Sequence, residues 1–186
     1  MTCPMSETRV LGIAGWSGAG KTTLITRLIP VLAARGLKVA ALKHAHHSFE
    51  VDQPGKDSYE YRAAGAVEVI VSSTRRWAQM HELRGEAEAT LAALLRRVSA
   101  CDLVLIEGFK EECHPKLEVF RPSLGLAPLH PDDPRIVAVA ADEALPGARV
   151  RVVDLNDVAV IADLVYASAE PLAAVIGALE VQGRGR

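Results

Sequence analysis

The sequence predicts an α/β fold: a mostly parallel central sheet with helices on both faces, and one or more antiparallel edge strands. Three observations carry that prediction. Short apolar runs alternate with amphipathic stretches along the chain. Several runs are apolar throughout, which marks strands buried on both faces. The first run passes through a glycine-rich turn directly into a helical pattern.

Taken in order, Arg9 to Gly15 reads as a short buried strand. Lys21 to Ala34 follows as a helix, with Leu24, Ile25, Leu28, Ile29 and Leu32 at helical spacing. Pro30 is expected to kink that helix or thin its last turns, and Arg35-Gly36 to stop it. Lys38 to Leu42 is a second strand, Tyr59 to Ala64 a short helix and Glu68 to Ser72 a third strand. Trp77 to Leu83 is ambiguous, with strand as one reading. Glu86 to Val98 reads as a helix with Leu91, Leu94 and Leu95 on one side. Leu103 to Ile106 is four apolar residues closed by Glu107-Gly108, a strand buried on both faces. Lys116 to Phe120 alternates and is expected at a sheet edge. Ile136 to Ala141 and Val150 to Leu155 are the last strands, and Asp157 to Ala167 and Pro171 to Leu179 the closing helices. One domain spans residues 1–186, with 1–8 and 182–186 as flexible ends. Ligands of such sheets bind at the carboxyl ends of the strands. The loops after Gly15, Lys43, Ser72, Glu107 and Ala141 are therefore expected to lie together.

Bulk properties narrow the function classes. The chain has 186 residues and a formal net charge of -2, which argues against a general nucleic-acid binder. Its three cysteines, Cys3, Cys101 and Cys113, are widely spaced and form no disulfide framework. No apolar run reaches the roughly 18 residues that a membrane span needs, and the N-terminus lacks the apolar segment of a signal peptide. A cytoplasmic protein with no membrane partner is expected.

Gly15-Trp16-Ser17-Gly18-Ala19-Gly20-Lys21-Thr22 matches G-x-x-x-x-G-K-[ST] without a mismatch. Glycines let the backbone turn its N–H groups toward phosphate oxygens. The following helix points its partly positive end at the same anion. Lys21 is expected to reach the terminal phosphates, Thr22 to offer its hydroxyl to magnesium, and Thr23 to begin the packed helix. The bland alternative is a glycine-rich turn with no ligand; the flanking strand and helix favour the phosphate site. The fold class becomes P-loop NTPase-like. Glu107 closes a buried strand and is the candidate magnesium-side acid. Asp102 lies at the far end of that strand.

The loop from Lys43 to Ser58 holds His44, His46, His47, Asp52 and Asp57 with Lys43 and Lys56. A loop this long is usually functional. Three readings compete. Asp52 or Asp57 contributes to magnesium while Lys43 or Lys56 contacts phosphate; or the loop is solvated and inert; or the histidines bind a transition metal with Cys113 or His114. Neutral imidazoles, His46 among them, also suit hydrogen bonding to a ligand. Arg75-Arg76-Trp77 reads equally as an anion clamp or as a basic turn. Cys113-His114 identifies no catalytic triad.

These segments occur in one order: Gly15 to Thr23, Lys43 to Tyr59, Ala63 to Ala66, Arg76-Trp77-Ala78, and Leu105-Ile106-Glu107-Gly108-Phe109-Lys110. Together, from about Arg9 to Val165, they resemble the molybdopterin-guanine dinucleotide biosynthesis protein B (MobB) family. The resemblance implies a dimeric P-loop protein that binds GTP with magnesium and hydrolyses it weakly. It implies assistance to a MobA-like guanylyltransferase that joins GMP to molybdopterin, giving the guanine dinucleotide. By this resemblance Gly15 to Thr22 is the GTP phosphate site, with Lys21, Asp52 and Asp57 as catalytic residues. Lys43, His46 and Lys56 are expected as ligand contacts, and Thr22, Glu107 and Asp57 are expected to face the metal. The guanine-reading sequence Asn-Lys-x-Asp is absent, and Asp142 is its expected substitute. A small-molecule kinase and a non-enzymatic, nucleotide-switched adaptor are the competing readings.

Overall fold

The computed structural model describes residues 7–45 and 49–185. They group into two compact units, Met1–His44 with Leu91–Arg186, and Ala45–Thr90.

The larger unit is the parallel α/β body. Its strands are β1 (Arg9–Ala14), β2 (Val39–Lys43), β5 (Leu103–Glu107), β6 (Lys116–Phe120), β7 (Ile136–Ala141) and β8 (Arg151–Asp154). They lie in the order β2-β5-β1-β6-β7-β8 with every pair parallel. A two-residue strand, β9 (Glu170–Pro171), pairs antiparallel with the start of β1. Period-two alternation explains why both faces are covered. Leu11, Ile13, Leu103 and Leu105 join a core with Leu24, Leu28 and Leu32 of α1 (Lys21–Ala34) and Ile161 and Val165 of α4 (Val158–Ser168). Val10, Val104 and Ile106 face the other way, against Leu91 and Leu95 of α3 (Leu91–Leu95) and Val175 and Leu179 of α5 (Leu172–Arg184). Three layers result. α1 runs unbroken through Pro30.

The smaller unit holds α2 (Asp57–Ala63) and an antiparallel hairpin of β3 (Glu68–Ser72) and β4 (Trp77–His81). Trp77 onward is therefore a strand. Arg62 ties the unit together by binding Asp52 at 2.5 Å, Glu82 at 2.6 Å and Glu50 at 2.8 Å.

Four expectations are corrected. β6 is no edge strand: it lies between β1 and β7 and is buried along its whole length. Its charged residues are paired instead of solvated. Lys116 binds Asp133 at 2.9 Å, and Glu118 accepts the N–H groups of Leu129 and His130. Buried charge with such partners is tolerated. Ser72 ends a strand of the two-stranded sheet, not a strand of the parallel sheet. The helix expected from Glu86 is only Leu91–Leu95, because only Leu91, Ala92 and Leu95 find a core to bury against; short helices without packing are marginal. The last helix runs on to Arg184, helped by Gln182, which bonds the Cys113 N–H and the Glu111 carbonyl.

Candidate functional site: a phosphate loop at the sheet switch point

β1 lies between β5 and β6, so three strand ends converge beside the glycine-rich turn. This is the position where α/β sheets bind ligands. Gly15, Gly18 and Gly20 have φ of 138°, 81° and 99°, values that L side chains rarely adopt. Gly15 is held further by close approach, since a Cβ there would lie 2.4 Å from the Val119 carbonyl oxygen. The turn opens α1 at Lys21. No side chain caps that helix and its first turn has no acid, which leaves its positive end fitted to an anion.

Four side chains meet there. The Lys21 ammonium donates to the Gly15 and Trp16 carbonyls at 2.9 Å each, curled over its own loop. Burial pushes its pKa below the usual lysine value. Glu107 pulls it back up and Lys43 lowers it further. The Thr22 hydroxyl donates to Glu107, 2.9 Å from Oε1 and 3.1 Å from Oε2. Lys43, at the end of β2, stands 3.6 Å from the same carboxylate. A hydroxyl and a carboxylate this close form an oxygen donor pair, which fits a hard divalent cation such as magnesium.

The turn after Glu107 is built for close approach. Gly108 and Phe109 are both left-handed, with φ of 97° and 51°. For Phe109 that is a strained conformation. A Cβ on Gly108 would lie 2.7 Å from the Cβ of His44. The reversal stacks Phe109 against His44 at 4.7 Å and carries the Lys110 ammonium to 5.2 Å over the Trp16 ring. Trp16 in turn donates its indole N–H to the Ala127 carbonyl.

The structure thus gathers Gly15, Ser17, Gly18, Ala19, Gly20, Lys21, Thr22, Lys43 and Glu107. Thr23 lies in the first turn of α1, exposed. Asp142 follows β7 and accepts a hydrogen bond from Arg121. Asp52, Lys56 and Asp57 belong to the smaller unit. There Asp52 is engaged by Arg62, whose hydrogen bond lowers its pKa. Lys56 and Asp57 are exposed, with Asp57 in the first turn of α2. His46 and His47 lie outside the described residues. Among the described residues no three His, Cys, Asp or Glu side chains form a metal-sized cluster. No helix among them is long and apolar enough to cross a membrane.

Sequence reasoning missed Arg121. It follows β6, donates from Nε to the Ala19 carbonyl at 3.0 Å and from Nη1 to Asp142 at 2.6 Å. The signal was available: a residue at the carboxyl end of a strand adjoining β1. Placing β6 at an edge concealed it.

The family model for "Molybdopterin guanine dinucleotide synthesis protein B", MobB, matches residues 10–142. The chain belongs to the MobB family. An Escherichia coli MobB relative, a molybdopterin-guanine dinucleotide biosynthesis adapter protein, is 47% identical over 84% of this chain and 90% of its own. A Haemophilus influenzae protein of the same description is 40% identical over 84% and 86%. A crystal structure of molybdopterin-guanine biosynthesis protein B superposes with a TM-score of 0.67 at 31% identity, covering 85% of this chain and 98% of that one. The Bacillus subtilis MobB structure, at 23% identity and a TM-score of 0.66, shares the fold. The MobB match spans both the phosphate loop and the Glu107 turn.

Proposed function

We propose that this MobB-family chain is a GTP-binding adapter in molybdopterin-guanine dinucleotide biosynthesis. The observation that carries the reading is the meeting of Lys21, Thr22 and Glu107 at the uncapped start of α1. The loop amides and Lys21 bind the triphosphate tail. Thr22 and Glu107 would hold magnesium, which supplies charge neutralisation at the phosphates. Lys43 supports the same anion from the end of β2. Asp142 reads the base. The family resemblance adds the Lys43 to Ser58 loop, in which Asp52 or Asp57 would orient water or metal and His46 and Lys56 would contact the ligand. Turnover is slow, and GTP serves delivery to a MobA-like guanylyltransferase that acts on molybdopterin. The adapter descriptions of the relatives favour this over a kinase. A homodimer fits the hairpin, whose Ile70 and Trp77 are each 62% exposed; large exposed apolar residues in one patch mark a protein contact.

Competitive binding of GTP and ATP with magnesium, repeated with molybdopterin and the guanylyltransferase present, tests the whole reading. Equal or absent binding of both nucleotides refutes GTP selectivity. Glu107→Gln keeps a hydrogen-bond acceptor for Thr22 but removes the charge. The magnesium-dependent part of GTP affinity is expected to fall about tenfold, in line with losses at metal sites. An unchanged magnesium titration removes Glu107 from the metal site.

A further inference from the structure

We infer that Arg121 competes with the nucleotide base for Asp142, so that this arginine sets the affinity for guanine. The inference rests on the reading of Asp142 as the base acceptor. Three observations carry it. First, Arg121 bridges two parts of the site: Nε bonds the Ala19 carbonyl within the phosphate loop, and Nη1 bonds Asp142 Oδ2. Its guanidinium also flanks Gly20, where a Cβ would meet Nε and Nη2 at 3.8 Å. Second, the pairing with Asp142 is one-sided. Asp142 Oδ1 is buried and has no hydrogen-bond partner among the described residues. A buried acceptor left unmatched is costly, so the carboxylate is better served by a partner with two parallel donors. Third, the guanidinium and the guanine edge have the same chemistry. Each presents N–H groups on nitrogens that share one carbon, the fork that fits a carboxylate with two bonds. Guanine N1–H and its 2-amino group supply both donors at once. Arg121 supplies one.

Guanine therefore takes Asp142 from Arg121, which keeps its bond to the Ala19 carbonyl. Adenine has no such fork and leaves the arginine in place. Arg121 thus raises the threshold for base binding, and only a two-donor base repays the broken ion pair. The pair is partly exposed, 38% at Arg121 and 23% at Asp142, so the exchange needs no unfolding of the strands beneath it.

The test compares GDP with inorganic pyrophosphate by calorimetry, with magnesium, on the full chain. Pyrophosphate reports the phosphate loop alone. In Arg121→Gln the ratio of GDP to pyrophosphate affinity is expected to rise roughly threefold to tenfold, the size of one charge-assisted contact removed. Arg121→Lys, which keeps a cation but loses the fork, moves the ratio the same way by a smaller factor. In an Asp142→Asn background the gain disappears. An unchanged or lower ratio in both Arg121 variants overturns the inference, and so does a gain that survives Asp142→Asn. Wild-type protein that binds neither ligand refutes the phosphate site itself. Wild-type protein that binds both, with no change in the variants, refutes only the competition.

Discussion

Replacing Lys21 with alanine is expected to weaken triphosphate binding on the order of 100-fold, the loss of two charge-assisted hydrogen bonds at about 1.5 kcal/mol each. The geometry gives the reason. The ammonium is anchored to the Gly15 and Trp16 carbonyls of its own loop, so it is positioned before any anion arrives. Little further ordering of a flexible side chain is needed. Burial already disfavours its charge, and a phosphate beside it would restore that charge. The fold should survive. Lys21 opens α1, whose core contacts are Leu24, Ile25, Leu28 and Leu32, and alanine is a better helix former than lysine. Calorimetry of GTP binding, with a thermal melt as control, checks both halves. Affinity within threefold of wild type, with an unchanged melt, removes Lys21 from the phosphate site.

The fold was legible where the pattern was unambiguous. β1, β5 and β7 are apolar runs that can only be buried, and the glycine turn fixed where α1 begins. At β6, polarity does not mean exposure. Lys116 and Glu118 made β6 resemble an edge strand, yet Asp133 and two backbone N–H groups neutralise them inside the sheet. Such partners lie 11 to 17 residues away in the chain, beyond the reach of periodicity. That error moved the end of β6 away from the phosphate loop and hid Arg121. Conversely, β3 has the composition of a sheet strand, but Val69 is its only buried residue, and it pairs with β4 instead. The glycines of the loop were legible, because the left-handed backbone there favours glycine. Glu107 was legible as the polar close of an apolar strand, whereas Arg121 became legible only once the strand order was known.

His114 gives the second large effect, and it concerns stability. The residue is completely buried, and neither ring nitrogen has a hydrogen-bond partner among the described residues. It fills the space that Gly12 leaves in β1: a Cβ on Gly12 would lie 2.4 Å from the ring Nε2. Burial drives its pKa down to about 3, and the neighbouring Lys116 and Arg135 charges add to that, against the opposite pull of Asp133. The folded protein therefore keeps His114 neutral over a range in which the unfolded chain takes up a proton. Below pH 6.5 the unfolded state binds more protons, so stability falls as the pH falls, and the loss is complete near pH 3. Between pH 7 and pH 5 this one group should cost about 2 kcal/mol, at 1.36 kcal/mol per pKa unit. Urea unfolding at the two pH values measures it. His114→Met has a similar volume and no titrating nitrogen. Its stability should fall by about 2 kcal/mol less than wild type over the same interval. At pH 7 it should be no less stable, since removing unmatched buried polar atoms offsets imperfect packing. Equal pH slopes in the two proteins would mean that the imidazole finds a partner or a proton inside the fold, and that the interior beside β1 is more polar than its geometry indicates.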